Sequence, residues 1–301
     1  MLVIQSLRVG GAETMVESLS YALKRQECAV LVVVLQPGET ILTDRMRKKG
    51  VDLRILGKRP GLDPSVSRRL AAIMRDFQPD VVHSHLPILQ YVVPAARKAH
   101  VGNLVHTVHN MAEKETSSNL KRLLSRRYYR NGSVVPVALS EVTKRSVEDV
   151  YGLDASQVAI VANGIDLEAY EPKRDYSFSV PARICHIGRF EEQKNHAALV
   201  DAAAQLKADG FDVVFDLYGV GSLMEEIKGA VAKKGLEGEF AFHGLTDNVP
   251  DALGKADLFV FPSVYEGMPM VLAEAMAAGL PIVATAVGGV PDMLEGGESA
   301  L

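Results

Sequence analysis

Short apolar runs rich in Val, Ile and Leu recur along the chain, most of them followed by an amphipathic stretch of helical period. VIQSL at 3–7 precedes a helical pattern from Glu13 to Leu23, and AVLVVVL at 29–35 precedes another near 40–49. VDLRIL, DVVHSH, NLVHTV, SVVPVAL and QVAIVAN continue the series. The runs are continuous rather than alternating, so both faces of each strand are expected to be buried, as in a parallel sheet covered by helices. Repeated β-α units of this length predict a doubly wound α/β architecture.

The rhythm breaks at 163–182, NGIDLEAYEPKRDYSFSVPA, and resumes with ARICHIG, FDVVFDLYG, EFAFHG, ADLFVFPS and PIVATAVGG. Two Rossmann-like domains are expected, over 1–166 and 183–301, joined by a linker at 167–182; a chain of 301 residues suits that number. The last unit stops at Leu301 without a finishing helix, so the second sheet is expected to be the shorter one and incomplete at its C-terminal end. In open parallel sheets ligands sit beyond the carboxyl ends of the strands. A cleft between two such domains is therefore the expected site, and the loops after the strands are where chemistry should lie.

Composition narrows the class further. Two cysteines, Cys28 and Cys185, build no disulfide framework, which suits a reducing compartment. The opening MLVIQSLRVGG is too short an apolar run for a signal peptide, and no apolar stretch approaches the roughly 18 residues of a membrane span. A cytoplasmic protein is expected. The net charge of −4 splits into +5 over 1–172 and −9 over 173–301, which predicts different partners for the two halves. The acidic second half and the lack of a nucleic-acid-binding motif argue against nucleic acid.

Several strand-end loops carry candidate residues. Gly10 and Gly11 could bring backbone amides against an anion, or simply form a tight turn before Glu13. His83, His85, His106 and His109 lie in two such loops. A zinc reading lacks an acidic ligand, Asp80 being the nearest, so these histidines suit single hydrogen bonds in a polar cleft, with His83 or His106 structural. Gly188-Arg189-Phe190-Glu191-Glu192-Gln193-Lys194-Asn195 places an Arg and a Lys five apart where they could converge on a diphosphate, or remain solvated charges. Gly219-Val220-Gly221 lacks a third glycine, since residue 224 is Met, so a nicotinamide fingerprint is disfavoured.

The strongest signal is Glu266-Gly267-Met268-Pro269-Met270-Val271-Leu272-Ala273-Glu274, directly after ADLFVFPS. Amides at 268–271 would face an anion at the start of a helix, flanked by two carboxylates. That arrangement suits a ligand with hydroxyls at both ends and phosphates between, as in a nucleotide sugar.

At these residues the chain resembles the family-4 glycosyltransferases, or glycosyl transferases group 1, with the GT-B fold. The resemblance rests on GGAE at 10–13, DVVHSHLP at 80–87, HTVHN at 106–110, NGID at 163–166 and GRFEEQKN at 188–195. It continues through GVG at 219–221, HGLTDNV at 243–249 and the Glu266/Glu274 pair. It implies a retaining, metal-independent hexosyl transfer from a nucleotide-diphosphate sugar to a hydroxyl acceptor, with a UDP-sugar favoured over a GDP-sugar and no resident cofactor or metal. In its terms Arg189 and Lys194 neutralise the diphosphate, and Glu274 accepts hydrogen bonds from the ribose. Glu266 and the backbone around Gly188, Gly267, Met268, Met270 and Val271 hold the donor sugar and phosphate, while Gly244 and Leu245 meet the base. Gly10 and Gly11 approach the phosphate, His109 points at the reacting sugar as a catalytic residue, and His85 lines the acceptor side. Family members usually run several dozen residues beyond GGVPDMLEGG, so a truncated second domain is the corresponding expectation.

The segment NLKRLLSRRYYR at 119–130 places Leu120, Leu123, Leu124 and Tyr128 at helical spacing beside five basic residues. It reads either as a core-packed helix with a solvated face or as a transient contact with an anionic membrane. The second suits a lipid-linked or cell-surface glycan acceptor in polysaccharide biosynthesis, and a peripheral place at the inner face of the plasma membrane. Competing readings are a nucleotide-sugar epimerase of the same architecture and a non-catalytic nucleotide-sugar-binding fragment.

Overall fold

In the computed structural model, which describes residues 1–8, 10–116 and 118–294, the chain forms two compact units, 1–164 and 165–301. The first holds β1 (Leu2–Ile4), β2 (Leu31–Val34), β3 (Asp52–Ile55), β4 (Val82–His85), β5 (Leu104–Thr107), β6 (Val135–Ala138) and β7 (Ala159–Ile160). All are parallel, in the order β3-β2-β1-β4-β5-β6-β7. Every residue of β2 is buried because helices cover both sheet faces, as its unbroken LVVV requires. One apolar cluster contains Val3, Leu31 and Val33, while Ile4, Val32 and Val34 belong to another, so alternate residues of one strand serve opposite cores.

The second unit repeats the plan with β8 (Ala182–Ile187), β9 (Val213–Tyr218), β10 (Phe240–Gly244), β11 (Leu258–Phe261) and β12 (Ile282–Ala284). The parallel order is β10-β9-β8-β11-β12. Phe215, Leu217 and Phe240 pack on one face; Cys185, Phe259 and Phe261 pack on the other with Leu272 and Ala275. Both units are Rossmann-like α/β folds. In each sheet the strand order reverses beside the first strand of the unit, between β1 and β4 and between β8 and β11. Such switch points leave a crevice at the carboxyl ends of the strands.

The segment expected as a linker is laced to the second unit beyond its short 3-10 turn Leu167–Ala169. The Lys173 amide donates to the Ala278 carbonyl at 2.8 Å, and its Nζ reaches Asp257 Oδ1 at 3.1 Å. Asp257 also accepts from Arg183 N at 2.9 Å and from the Ser179 hydroxyl, and these bonds outweigh burial to hold its carboxyl at about 2. The run PIVATAVGG yields a strand only over Ile282–Ala284, because Thr285 turns away with its hydroxyl donating to the Ser263 carbonyl at 2.5 Å. The expected ending beyond Leu294 lies outside the described residues.

Candidate functional site

In the second unit the loops after β8, β9, β11 and β12 interlock at the carboxyl edge of the sheet. The loop after β8 runs from Gly188 through a 3-10 turn, Glu192–Lys194, to Asn195 in the left-handed region, and the helix His196–Ala208 begins only there. Arg189 is exposed, whereas the side chain of Lys194 is 14% accessible and its Nζ lies 2.6 Å from Glu266 Oε1. Glu266 is 6% exposed, so that ammonium is the counter-charge its carboxylate faces away from water. The sequence had placed both residues in strand-end loops but gave no sign that they pair.

Gln193 ties the same two loops together. Its carbonyl accepts from Val264 N at 2.9 Å and its Nε2 donates to the Tyr265 carbonyl at 2.9 Å. Glycines close the remaining distances. A Cβ on Gly219 would lie 2.0 Å from the Gly188 oxygen, and one on Gly221 would lie 2.3 Å from the Phe190 oxygen. The G-x-G pair is therefore explained by backbone packed against backbone. Gly288, with φ +54°, leaves no room either: a Cβ would sit 1.8 Å from the Glu266 oxygen. Gly289 N donates to the Gly267 carbonyl at 3.0 Å. Gln193, Thr285, Gly288 and Gly289 all shape the Glu266 loop, and none of them stands out in the sequence, because the two glycines act through the main chain and Gln193 and Thr285 act on loops distant in sequence.

The helix Met270–Ala277 starts one residue after Pro269, which has no N–H to offer. Among the described residues, the amides of Met270 and Val271 have no protein acceptor, as expected of a first helical turn. The donors available to an anion are thus fewer than the 268–271 stretch implied. Glu274 is 8% exposed, buried by the apolar neighbours the sequence showed. Gly244 has φ +68° and its carbonyl accepts from Gly219 N at 2.7 Å; Leu245 beside it is 52% exposed.

Beneath this edge lie two buried histidines. His186 Nδ1 faces the Val260 carbonyl at 2.9 Å, and His196 stacks on Phe190 with ring centroids 3.9 Å apart. Burial holds His186 at about 3 and His196 at about 4, so both are neutral.

In the first unit, His85 at the end of β4 and His109 just past β5 meet, Nδ1 to Nε2 at 3.0 Å. His85 is fully buried, which corrects the expectation that it lines an acceptor surface: its ring contacts His109 and His83. His83 Nε2 bonds Thr107 Oγ1 at 2.8 Å and His106 Nδ1 bonds Ser84 Oγ at 2.8 Å, so both serve the sheet. Burial, with the neighbouring imidazoles, holds His83 at about 4, His109 at about 3 and His85 well below its usual value. The acidic neighbour sought at Asp80 is Glu115 instead, in the short helix Ala112–Glu115, with Oε1 3.5 Å from His106 Nε2. Among the described residues no three His, Cys, Asp or Glu side chains converge as a metal site.

At the switch point between β1 and β4 a cavity of about 440 Å³ opens, lined by Gln5, Leu86 and Pro87 and by Lys114, Glu115 and Lys121. Leu86 is held at φ +64°, a conformation rarely adopted by a side-chain-bearing residue. Gly10 caps the helix Gly11–Arg25 in extended backbone; a Cβ there would crowd Glu13 Oε2 at 2.6 Å.

Comparison with known proteins follows the same division. The model described as Glycosyltransferase Family 4 matches residues 9–169, and that described as Glycosyl transferases group 1 matches 181–301. EpsF of Bacillus subtilis, which carries a glycosyltransferase name, is 30% identical over 305 residues, covering 93% of this chain and 77% of EpsF. An Escherichia coli UDP-Gal:α-D-GlcNAc-diphosphoundecaprenol α-1,3-galactosyltransferase is 28% identical, covering 73% of this chain and 61% of that enzyme. Among solved structures, HepE of Anabaena in complex with UDP and glucose superposes with TM-score 0.84 and 19% identity, over 100% of this chain and 84% of HepE. That likeness speaks for the fold.

Proposed function

Because this chain belongs to glycosyltransferase family 4 and is a transferase of the GT-B type, we propose that it moves a hexosyl group from a UDP-sugar to a hydroxyl acceptor with retention of configuration. The observation that carries the reading is the buried Lys194–Glu266 pair in the loop before the open amides of Met270 and Val271. A departing nucleoside diphosphate gains negative charge as the glycosidic bond breaks, and fixed donors aimed at that charge are the largest expected catalytic contribution. Lys194 and Arg189 supply the cations, the helix start supplies the amides, and Glu266 orients Lys194 while offering its other oxygen to a sugar hydroxyl. Glu274 takes the ribose hydroxyls, with Gly188, Gly267 and Met268 lining the path and Gly244–Leu245 meeting the base. In the first unit the reading assigns His109 to the reacting sugar and the Gly10–Gly11 turn to phosphate. The choice of UDP draws support from the Escherichia coli relative's name and from HepE's bound UDP.

The chain has no Asp-x-Asp sequence to hold a metal-diphosphate, so the cations and amides carry that load and turnover should be undiminished in excess chelator. The direct test is thermal stabilisation by UDP, GDP, ADP and CDP, with Glu274→Ala as control. At a hundredfold excess over Kd the fitting nucleotide should add about 2.7 kcal/mol, absent in the variant. No shift with any nucleotide in a cooperatively melting protein would overturn the donor assignment. Proton NMR of the product's anomeric linkage tests retention.

For the acceptor, we place a glycan or lipid-linked hydroxyl at the first unit's switch-point cavity, where Lys114 and Lys121 suit a phosphate-bearing carrier. The helix Asn119–Arg130 departs from its expected pattern in a way that favours membrane contact. Leu124 and Tyr128 face the core, but Leu120 and Leu123 are 65% and 63% exposed on the side that carries Arg127 and Arg130. Exposed leucines among arginines suit an anionic lipid surface. Among the described residues no helix is long and apolar enough to cross a membrane. Sedimentation with phosphatidylglycerol vesicles at low salt should be lost in Leu120→Ser/Leu123→Ser. Equal sedimentation of variant and parent would sink the membrane assignment.

A further inference from the structure

His85 is wholly buried at the end of β4, and its Nδ1 stands 3.0 Å from Nε2 of His109, two residues past β5. The ring centroids are 5.3 Å apart at 45°, so the contact is nitrogen to nitrogen at the ring edges. Each ring is neutral, because desolvation and the surrounding imidazoles oppose a charge on either. A neutral imidazole has one N–H and one bare nitrogen. The shared contact therefore holds one proton, and two arrangements are open.

If His109 Nε2–H were the donor, His85 would have to carry its own proton on Nε2. That atom is buried and has no hydrogen-bond partner among the described residues. A buried N–H without an acceptor is among the rarest features of folded proteins, rarer than an unfilled acceptor. In the other arrangement His85 donates from Nδ1 and keeps Nε2 as a bare nitrogen. His109 then accepts at Nε2 and has its single proton at Nδ1. His109 is half-buried, and among the described residues no protein group is bonded to that Nδ1.

We propose that His85 is a positioning residue whose Nδ1–H locks His109 in the Nδ1-protonated tautomer, so that His109 meets its ligand as a hydrogen-bond donor. The proposal rests on the reading above that His109 faces the donor sugar, and it deepens it. His109 would give a hydrogen bond to a sugar hydroxyl or phosphate oxygen and would not act as a proton acceptor from the acceptor alcohol. The ring of His83, 4.1 Å from that of His85, packs against the positioning residue.

The test is nitrogen-15 NMR of the full chain with labelled histidine at pH 7.5, the His109 signals being assigned by their loss in His109→Gln. The expected spectrum shows His109 protonated at Nδ1 and bare at Nε2. In His85→Phe that preference should vanish, with His109 populating the Nε2-protonated form, while His85→Asn, whose amide can donate from nearly the same point, should restore it. Transfer by His85→Phe should lose roughly 10- to 100-fold in kcat with KM for the donor little changed. An Nε2-protonated His109 in the parent protein, or an unchanged tautomer in His85→Phe, would overturn the proposal. Should His85→Phe not fold, the parent spectrum alone decides. A failure of UDP to bind would strike the functional reading and leave the tautomer result standing, so the two failures are distinguishable.

Discussion

Lys194 has a structural role that can be separated from the functional one proposed for it. Its ammonium is 2.6 Å from a carboxylate that is itself almost entirely out of water, and it lies 4.8 Å from the centre of the Phe261 ring. Removing one member of a buried pair strands the other charge, which typically costs about 3–5 kcal/mol. Lys194→Met should therefore lower the thermal midpoint clearly. The double variant Lys194→Met/Glu266→Gln removes both charges and should regain most of that stability without regaining transfer. A double variant as unstable as the single one would mean that the pair is held by its surroundings rather than by its charges. Residue identity in the loops was legible: Lys194, Glu266 and Glu274 stand out by type and by their place after strands. The pairing was not, because two loops separated by 72 positions meet only once the β8-β11 neighbour relation is known.

At the level of elements, the alternation of apolar runs and amphipathic stretches was enough to imply two parallel sheets, since a strand buried on both faces leaves little choice. Strand ends were less legible. ADLFVFPS stops at Phe261 because Pro262 has no N–H to offer, and beyond Ala284 the Thr285 hydroxyl turns to the Ser263 carbonyl. The basic helix divides between its two expected readings, because Leu124 and Tyr128 pack on the core while Leu120 and Leu123 share the exposed side with arginines. Gly288 offers the sharpest test of the loop clamp. At φ +54° and with the Glu266 carbonyl 1.8 Å from any Cβ, Gly288→Ala should displace the Glu266 loop and weaken UDP binding. The Rossmann core lies elsewhere, so far-UV circular dichroism should stay unchanged. Gly229→Ala is the matched control: it lies exposed inside the helix Met224–Lys233 with nothing within 4 Å of an added Cβ. It should stabilise by about 0.5–1 kcal/mol, the helical advantage of Ala over Gly. Equal effects of the two substitutions on UDP binding would refute the clamp.

Across the whole molecule the charge is divided: residues 1–164 carry 23 Lys and Arg against 15 Asp and Glu, and residues 165–301 carry 10 against 22. On the proposed reading, an anionic donor in the acidic unit gains nothing from net charge and depends on the local cations and amides. Both units share a different trait, which sets how the protein responds to acid. His83 and His109 in the first unit are held at about 4 and about 3, and His186 and His196 in the second at about 3 and about 4, with His85 depressed as well. Unfolded histidine titrates near ~6.5. Below that pH the unfolded chain binds protons that the folded chain refuses, so these histidines make stability fall as pH drops toward 4. Asp257, held at about 2, and Glu191, lowered by its bonds from Ser222, add to the same loss at lower pH, because each carboxyl takes up its proton more readily once unfolded. Urea unfolding at pH 7.5, 6.5, 5.5 and 4.5 should show the midpoint constant at first and then falling, by up to about 1.4 kcal/mol per pH unit for each proton taken up on unfolding. His196→Phe removes one such group. Both His196 ring nitrogens are buried without a partner among the described residues, and the ring already stacks on Phe190. The variant should match the parent at pH 7.5 and exceed it at pH 5, because one proton fewer drives unfolding. A midpoint that stays level from pH 7.5 to 5 in the parent would mean these histidines ionise inside the fold, and the account of them as neutral core groups would fail with it.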